Sequence, residues 1–244
     1  MIKLTESLFN LEPNTVHIWS FDFNIEDEAV KKYFHLLSQD EQARANKFKF
    51  DKDRRCYVVS KGVLRTLSGK YLNRNAQDIM FSYGEFGKPK FEQNTDLNFN
   101  VSHSGDLATI GFVTNHTIGI DIEKIKNDFD TFEIASNFFS KKEIADLQLI
   151  SKPEQYIAFY RCWTRKEAFI KAIGSGLSFP LDSFSVTLDH DFIAEMQETH
   201  WDKSEKKEWN FHTFKPRAEY IAAVIVKNNF CSFKTMELDP TNLI

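Results

Sequence analysis

The sequence predicts an α+β fold that divides near residue 118 into two parts of similar size. Three observations carry that expectation. Helical and strand patterns are mixed along the chain, without the regular alternation of a doubly wound sheet. No repeat of solenoid period and no low-complexity tract is present. The 244 residues, 42% of them hydrophobic, suffice to bury one large core or two smaller ones.

The elements follow in order. Residues 15–23 alternate apolar and polar, as in a half-buried strand. Residues 26–46 read as helical. Residues 53–72 read as a second helix, with Val58, Leu64 and Leu67 among its apolar positions and Asp53 as N-cap. A short strand over 79–83 leads into loop signals from Gly84 to Pro89. Residues 97–101 alternate as a strand, which Ser102-His103-Ser104-Gly105 interrupts. Residues 108–113 and 118–123 suggest a hairpin around 114–117. Residues 131–149 form one or two helices. The best-defined helix spans 151–173, with Ser151 and Glu154 at capping-box spacing, Pro153 in the first turn and Gly174 as a stop. Phe184, Val186 and Leu188 alternate with Ser183, Ser185 and Thr187, and 209–214 and 219–226 give two more strands.

Bulk properties exclude several classes. The net charge of −4 lacks the basic footprint of nucleic-acid binding. No apolar run approaches ~20 residues, so no membrane span is expected. The N-terminal Met1-Ile2-Lys3-Leu4 begins no signal-peptide core. Cys56, Cys162 and Cys231 fit neither a zinc motif nor a closed disulfide framework, which points to reduced thiols in a cytoplasmic protein.

Three constellations suggest chemistry. On a strand, Asp121 and Glu123 of Gly119-Ile120-Asp121-Ile122-Glu123 share one face, with Ile120 and Ile122 on the other. Paired carboxylates begin a hard-cation site, and a solvated acidic face is the competing reading. In the long helix, Trp163, Glu167 and Lys171 lie four apart on one stripe that Tyr160 joins. A charged pair on a mostly apolar helix calls for compensation by a metal or anionic ligand. A plain helix-surface ion pair is the alternative. The segment 100–105 offers hydroxyls, an imidazole and backbone N–H groups to a phosphate, or forms an ordinary turn. Gly84 to Pro89 and the basic stretch from Arg44 to Arg65 are weaker phosphate candidates.

Taken in order, Gly87-Lys88-Pro89, Phe99 to Ser104, Gly119 to Glu123, Trp163-Thr164-Arg165-Lys166-Glu167-Ala168-Phe169-Ile170-Lys171 and Gly176 to Phe184 resemble the surfactin-type group of the 4′-phosphopantetheinyl transferase superfamily. The resemblance covers roughly residues 35–190. It implies two similar α+β halves related by a pseudo-two-fold axis, here 1–118 and 119–244, with coenzyme A in the cleft between them. It implies Mg²⁺, with Mn²⁺ as an alternative ion, held by Asp121, Glu123 and Glu167. It implies coenzyme A contacts from Arg44, Arg55, Lys88, Ser102, His103, Lys166 and Lys171, with Glu167 and Lys171 catalytic. Cys56 occupies a slot where the family usually has arginine. The partner is an apo peptidyl, acyl or polyketide carrier domain, for which residues 126–150 are a candidate docking surface. Within that segment Phe138, Phe139 and Leu147 fit core better than contact. A monomer suffices. The competing function is a non-catalytic coenzyme A or carrier-binding module of the same fold.

Overall fold

The computed structural model describes residues 5–244 (backbone only at Leu177). Met1 to Leu4, read above as lacking a leader's core, lie outside the described residues. The chain starts with strand β1 (Thr15–Asp22), then helices α1 (Asp27–Leu36), α2 (Gln39–Ala45) and α3 (Asp51–Leu72). Strands β2 (Phe81–Tyr83) and β3 (Pro89–Phe91) form a small hairpin, followed by β4 (Leu97–Ser104) and β5 (Leu107–Thr114). The second half repeats this order. It runs through β6 (Ile118–Lys124), α4 (Thr131–Phe138), α5 (Lys141–Leu149), α6 (Lys152–Ile173), the β7 (Phe184–Val186) and β8 (Met196–Thr199) hairpin, β9 (Asn210–Phe214) and β10 (Tyr220–Val226). A last strand, β11 (Ser232–Leu238), returns to pair in parallel with β1.

Two larger sheets result besides the two hairpins, in the orders β11-β1-β5-β4 and β6-β10-β9. Trp19, Phe21, Ile110 and Phe112 on the outer face of the first sheet pack under α1 and α3. Phe169, Ile170, Ile221 and Ala223 belong to the matching core under α6. Between the sheets lie Val16, Ile18 and Val113 from one side and Ile118, Ile120 and Val224 from the other. Strand β1 is therefore buried on both faces, not half-buried as its alternation suggested.

Several boundaries differ from expectation for local reasons. The helical stretch over 26–46 breaks at Leu37, because Ser38 and Glu41 close a capping box that starts α2. Helix α3 begins at Asp51 after Phe50, which leaves Asp53 inside the first turn. At Ser151 no side-chain cap forms, and its hydroxyl donates to the Glu154 carboxylate instead. The predicted hairpin over 108–123 does not form. Strand β5 pairs with β1 and β4, while β6 pairs with β10. Ser102 to Ser104 continue β4, and the turn comes only at Gly105, with φ +57°.

Candidate active site at the β4–β6 seam

Strands β4 and β6 are edges of different sheets and face each other in parallel. Alternate residues of β4 bridge them with side chains. Asn100 Oδ1 accepts from Ile120 N at 2.9 Å, Ser102 Oγ from Ile122 N at 3.3 Å, and Ser104 Oγ from Lys124 N at 3.1 Å. Those donors would otherwise be unpaired edge groups in a largely buried setting. The seam ends beside two carboxylates. Ser102 Oγ donates to Asp121 Oδ1 at 2.9 Å and Ser104 Oγ to Glu123 Oε2 at 2.7 Å.

Helix α6 closes over this seam because Gly119 has no side chain. A Cβ there would lie 1.9 Å from the Ala168 carbonyl oxygen and 2.4 Å from the Ala172 nitrogen. The close approach sets Glu167 and Lys171 over β6. Lys171 Nζ donates to Asp121 Oδ1 at 2.6 Å and to Ser102 Oγ at 2.9 Å. Asp121, only 3% exposed, keeps its other oxygen without a hydrogen-bond partner among the described residues. A buried carboxylate oxygen with no donor is costly unless a cation arrives.

The electrostatics agree. Burial, and then the charge of Asp121, push the Glu167 carboxyl up to about 7, with Lys171 pulling the other way. Burial and Asp121 also raise Glu123, against the pull of the Ser104 hydrogen bond. The site thus carries more negative charge than Lys171 offsets. Its donors are all carboxylate oxygens, the ligand type that suits Mg²⁺. As the side chains stand, no group of three or more His, Cys, Asp or Glu among the described residues is arranged to hold a metal ion.

A cleft of about 260 Å³ adjoins these groups. Phe86, Lys88, Val101, Ile170 and Gly176 line it together with Glu167 and Lys171. The other expected contacts spread apart. Ser102 is buried and tied into the carboxylate network. His103 points from the opposite face of β4, edge-on to Phe23 at 6.0 Å. Burial and the Lys171 charge hold its imidazole below the ordinary value. Arg55 donates to the Ile25 carbonyl at 2.6 Å and pairs with Asp27. It lines a second cavity of about 550 Å³ with Phe23, Lys52, Cys56 and Asp106. Arg44 stands elsewhere, over the Tyr57 ring at 5.5 Å in a third cavity.

Lys166 requires a correction. It is fully buried, ion-paired with Glu143 at 2.8 Å, and donates to the Leu181 and Phe184 carbonyls. All three ammonium protons are used inside the second core, so it cannot meet coenzyme A. The interruption expected over Ser102 to Gly105 is a turn only at Gly105, since Ser102 to Ser104 lie in the β4–β5 ladder. Sequence reasoning placed Asn100 and Ser104 in a candidate phosphate-binding segment and missed their part in bridging β4 to β6. Their alternation with Ser102 along one strand face was the available signal. In the segment 126–150, Phe139 and Leu147 are core, while Phe138 is 39% exposed and meets Trp163 edge-on at 5.5 Å.

Comparisons with known proteins bear on this geometry. The family profile "4'-phosphopantetheinyl transferase superfamily" matches residues 117–225, and "4'-phosphopantetheinyl transferase, N-terminal" matches residues 21–114. The 4'-phosphopantetheinyl transferase Sfp of Bacillus subtilis (strain 168) is 38% identical over 170 residues, 70% of this chain and 75% of that protein. The transferase ffp of Bacillus subtilis is 36% identical over 181 residues, covering 73% and 80%. HetI of Nostoc sp. is 31% identical over 215 residues, covering 86% and 87%. With both halves matched by family profiles and carboxylates and lysine gathered at their seam, the chain belongs to the 4′-phosphopantetheinyl transferase superfamily.

Proposed function

We propose that this protein transfers the 4′-phosphopantetheine group of coenzyme A to a serine of an apo carrier protein. The serine oxygen forms a bond to the β-phosphorus, the pyrophosphate bridge breaks, and 3′,5′-adenosine bisphosphate leaves. The observation that carries this reading is the meeting of Asp121, Glu123, Glu167 and Lys171 beside a cleft where the halves join. We take the division between the halves to lie near residue 118.

Asp121, Glu123 and Glu167 would hold Mg²⁺, and the unpartnered Asp121 oxygen supports that assignment. When bound, the ion supplies positive charge to neutralise the pyrophosphate. Lys171 pairs with Asp121 at 2.6 Å and adds a fixed positive charge at the site. Glu167 takes the serine proton on a carboxylate oxygen. A base with a pKa near the working pH suits that task, and in the metal-free site burial has raised Glu167 to about 7. Lys52, Arg55 and His103, at the second cavity or flanking it through Phe23, are suited to the nucleotide's phosphate end. Cys56 lines that cavity too, so Lys52 there is our candidate for the cation that the family's arginine would supply.

Intact-mass spectrometry of an apo peptidyl carrier domain tests the proposal. The domain is incubated with this protein, coenzyme A and Mg²⁺, with EDTA as control. Gain of one phosphopantetheine that EDTA abolishes is the expected result. No gain on peptidyl or fatty-acid carriers would reject transfer, and gain that survives EDTA would reject the metal assignment.

A further inference from the structure

Lys88 was expected to contact coenzyme A, yet its amine is turned inward. Its Nζ donates to the Ile118 carbonyl at 3.0 Å and the Ala172 carbonyl at 2.8 Å. Ile118 opens β6, three residues before Asp121. Ala172 sits in the last turn of α6, next to Lys171. Carbonyls of a final helical turn have no partner within the helix and carry its negative end. The ammonium meets that need, and no carboxylate among the described residues pairs with it. Burial pushes its pKa down to about 8, so the charge is kept at some cost.

The lysine stands on a stiff support in the first half. Gly84 N donates to the Lys88 carbonyl at 3.0 Å and Gly87 N to the Gly84 carbonyl at 2.9 Å, with Gly87 at φ +78°. Pro89 follows and starts β3. Gly174, at φ +69°, ends α6 against the Lys88 stem, and a Cβ there would sit 3.6 Å from Lys88 Cδ. One side chain therefore links a rigid loop of the first half to the start of β6 and the end of α6.

We infer that Lys88 is a positioning residue that clamps the halves across the cleft and sets where Glu167 and Lys171 stand over Asp121. It acts through α6 and not by touching the reacting atoms. The inference rests on the transfer reading only for its kinetic readout. Small displacements at a reacting centre cost on the order of 10²-fold in rate, so the clamp should appear in kcat.

The test uses the full chain with Lys88→Met and Lys88→Gln. Gln retains a donor for one carbonyl, whereas Met retains none. Without substrate, Lys88→Met should speed amide hydrogen exchange at the end of α6 and in residues 84–88, leaving β5 and α3 unchanged. With coenzyme A and an apo carrier, kcat should fall roughly 10–100-fold, while the KM for coenzyme A moves less than about threefold. Lys88→Gln should lie between. Unchanged exchange at the end of α6 would overturn the clamp. So would a raised KM with preserved kcat, which would make Lys88 a direct ligand. If the wild-type protein loads no carrier, the transfer reading fails, and the exchange experiment still decides the clamp.

Discussion

In the first half, Arg65 of α3 reaches Glu41, whose carboxylate also accepts from the Ser38 backbone to close the cap of α2. In the second half, Lys166 of α6 reaches Glu143, which closes the cap of α5 at Ser140 in the same way. Both long helices have 22 residues, and both cations stand at the same place along them. Both helices end on a left-handed residue, Asn73 or Gly174. Beneath the helices the halves part company. At the β1 positions that answer to Gly119 and Asp121 stand His17 and Trp19. Both hydrogen-bond the Tyr71 hydroxyl, at 2.8 and 2.9 Å. Thr66 answers to Glu167 and spends its hydroxyl on the Gly62 carbonyl. The comparison separates two tasks. The buried ion pair holds the scaffold and is present in both halves. The chemistry needs a helix close to its strand, and rings fill that space in the first half.

Substitutions can break this contrast, beginning with the largest effect. Glu167→Gln should lower carrier loading by about 10²–10⁴-fold with coenzyme A binding largely kept. Thr66→Val, its counterpart, should leave loading within about twofold. Equal losses in time courses of carrier loading would erase the distinction between the halves. Next come the ion pairs. Glu143→Gln and Glu41→Gln each leave a buried cation without its charge partner and should cost roughly 3–5 kcal/mol. Urea unfolding would read both, and a negligible cost at either site would show that the pair does not hold its half together. Gly119→Ala forces a methyl group into the backbone of α6 and should cost about 1–3 kcal/mol, with loss of loading as α6 lifts.

The smallest effect is a pH dependence that sharpens the assignment of Glu167. Its pKa is raised on folding, so its contribution to stability is full below the unfolded value of 4.5 and is lost as pH rises through about 7. Metal-free Glu167→Gln should therefore melt roughly 2–5 °C higher than the wild type near pH 8, with the gap shrinking toward about pH 4. Parallel melting curves across that range would mean that Glu167 feels no such burial.

Local pattern was enough to show which side chains share a face. Asp121 and Glu123 on one side of β6, and Glu167 and Lys171 on one stripe of α6, were legible because periods of two and 3.6 residues are intrinsic to the backbone. The family motif also named the groups that meet. What local pattern could not show is which strands pair. β11 joins β1 in parallel, with Thr15 and Ser232 in register, and no turn signal links segments that far apart. The same blindness turned β5 and β6 into a hairpin. Lys166 failed for another reason. It sits inside a functional motif, and a charged residue there reads as a ligand until its partner Glu143, on a different helix, is seen.

The β4–β6 seam has a consequence for solubility. Strand β6 is an edge that no neighbouring strand among the described residues pairs on this side, and an edge with free amides invites pairing with another chain once it is uncovered. A further strand would hide that edge and bury the site with it. Asn100, Ser102 and Ser104 satisfy the amides of Ile120, Ile122 and Lys124 with short side chains. The edge loses its adhesiveness while the carboxylates stay within reach. Replacing all three with alanine would leave three edge amides unpaired at the heart of the molecule, and the lost stability would uncover the edge, with aggregation on expression as the first symptom.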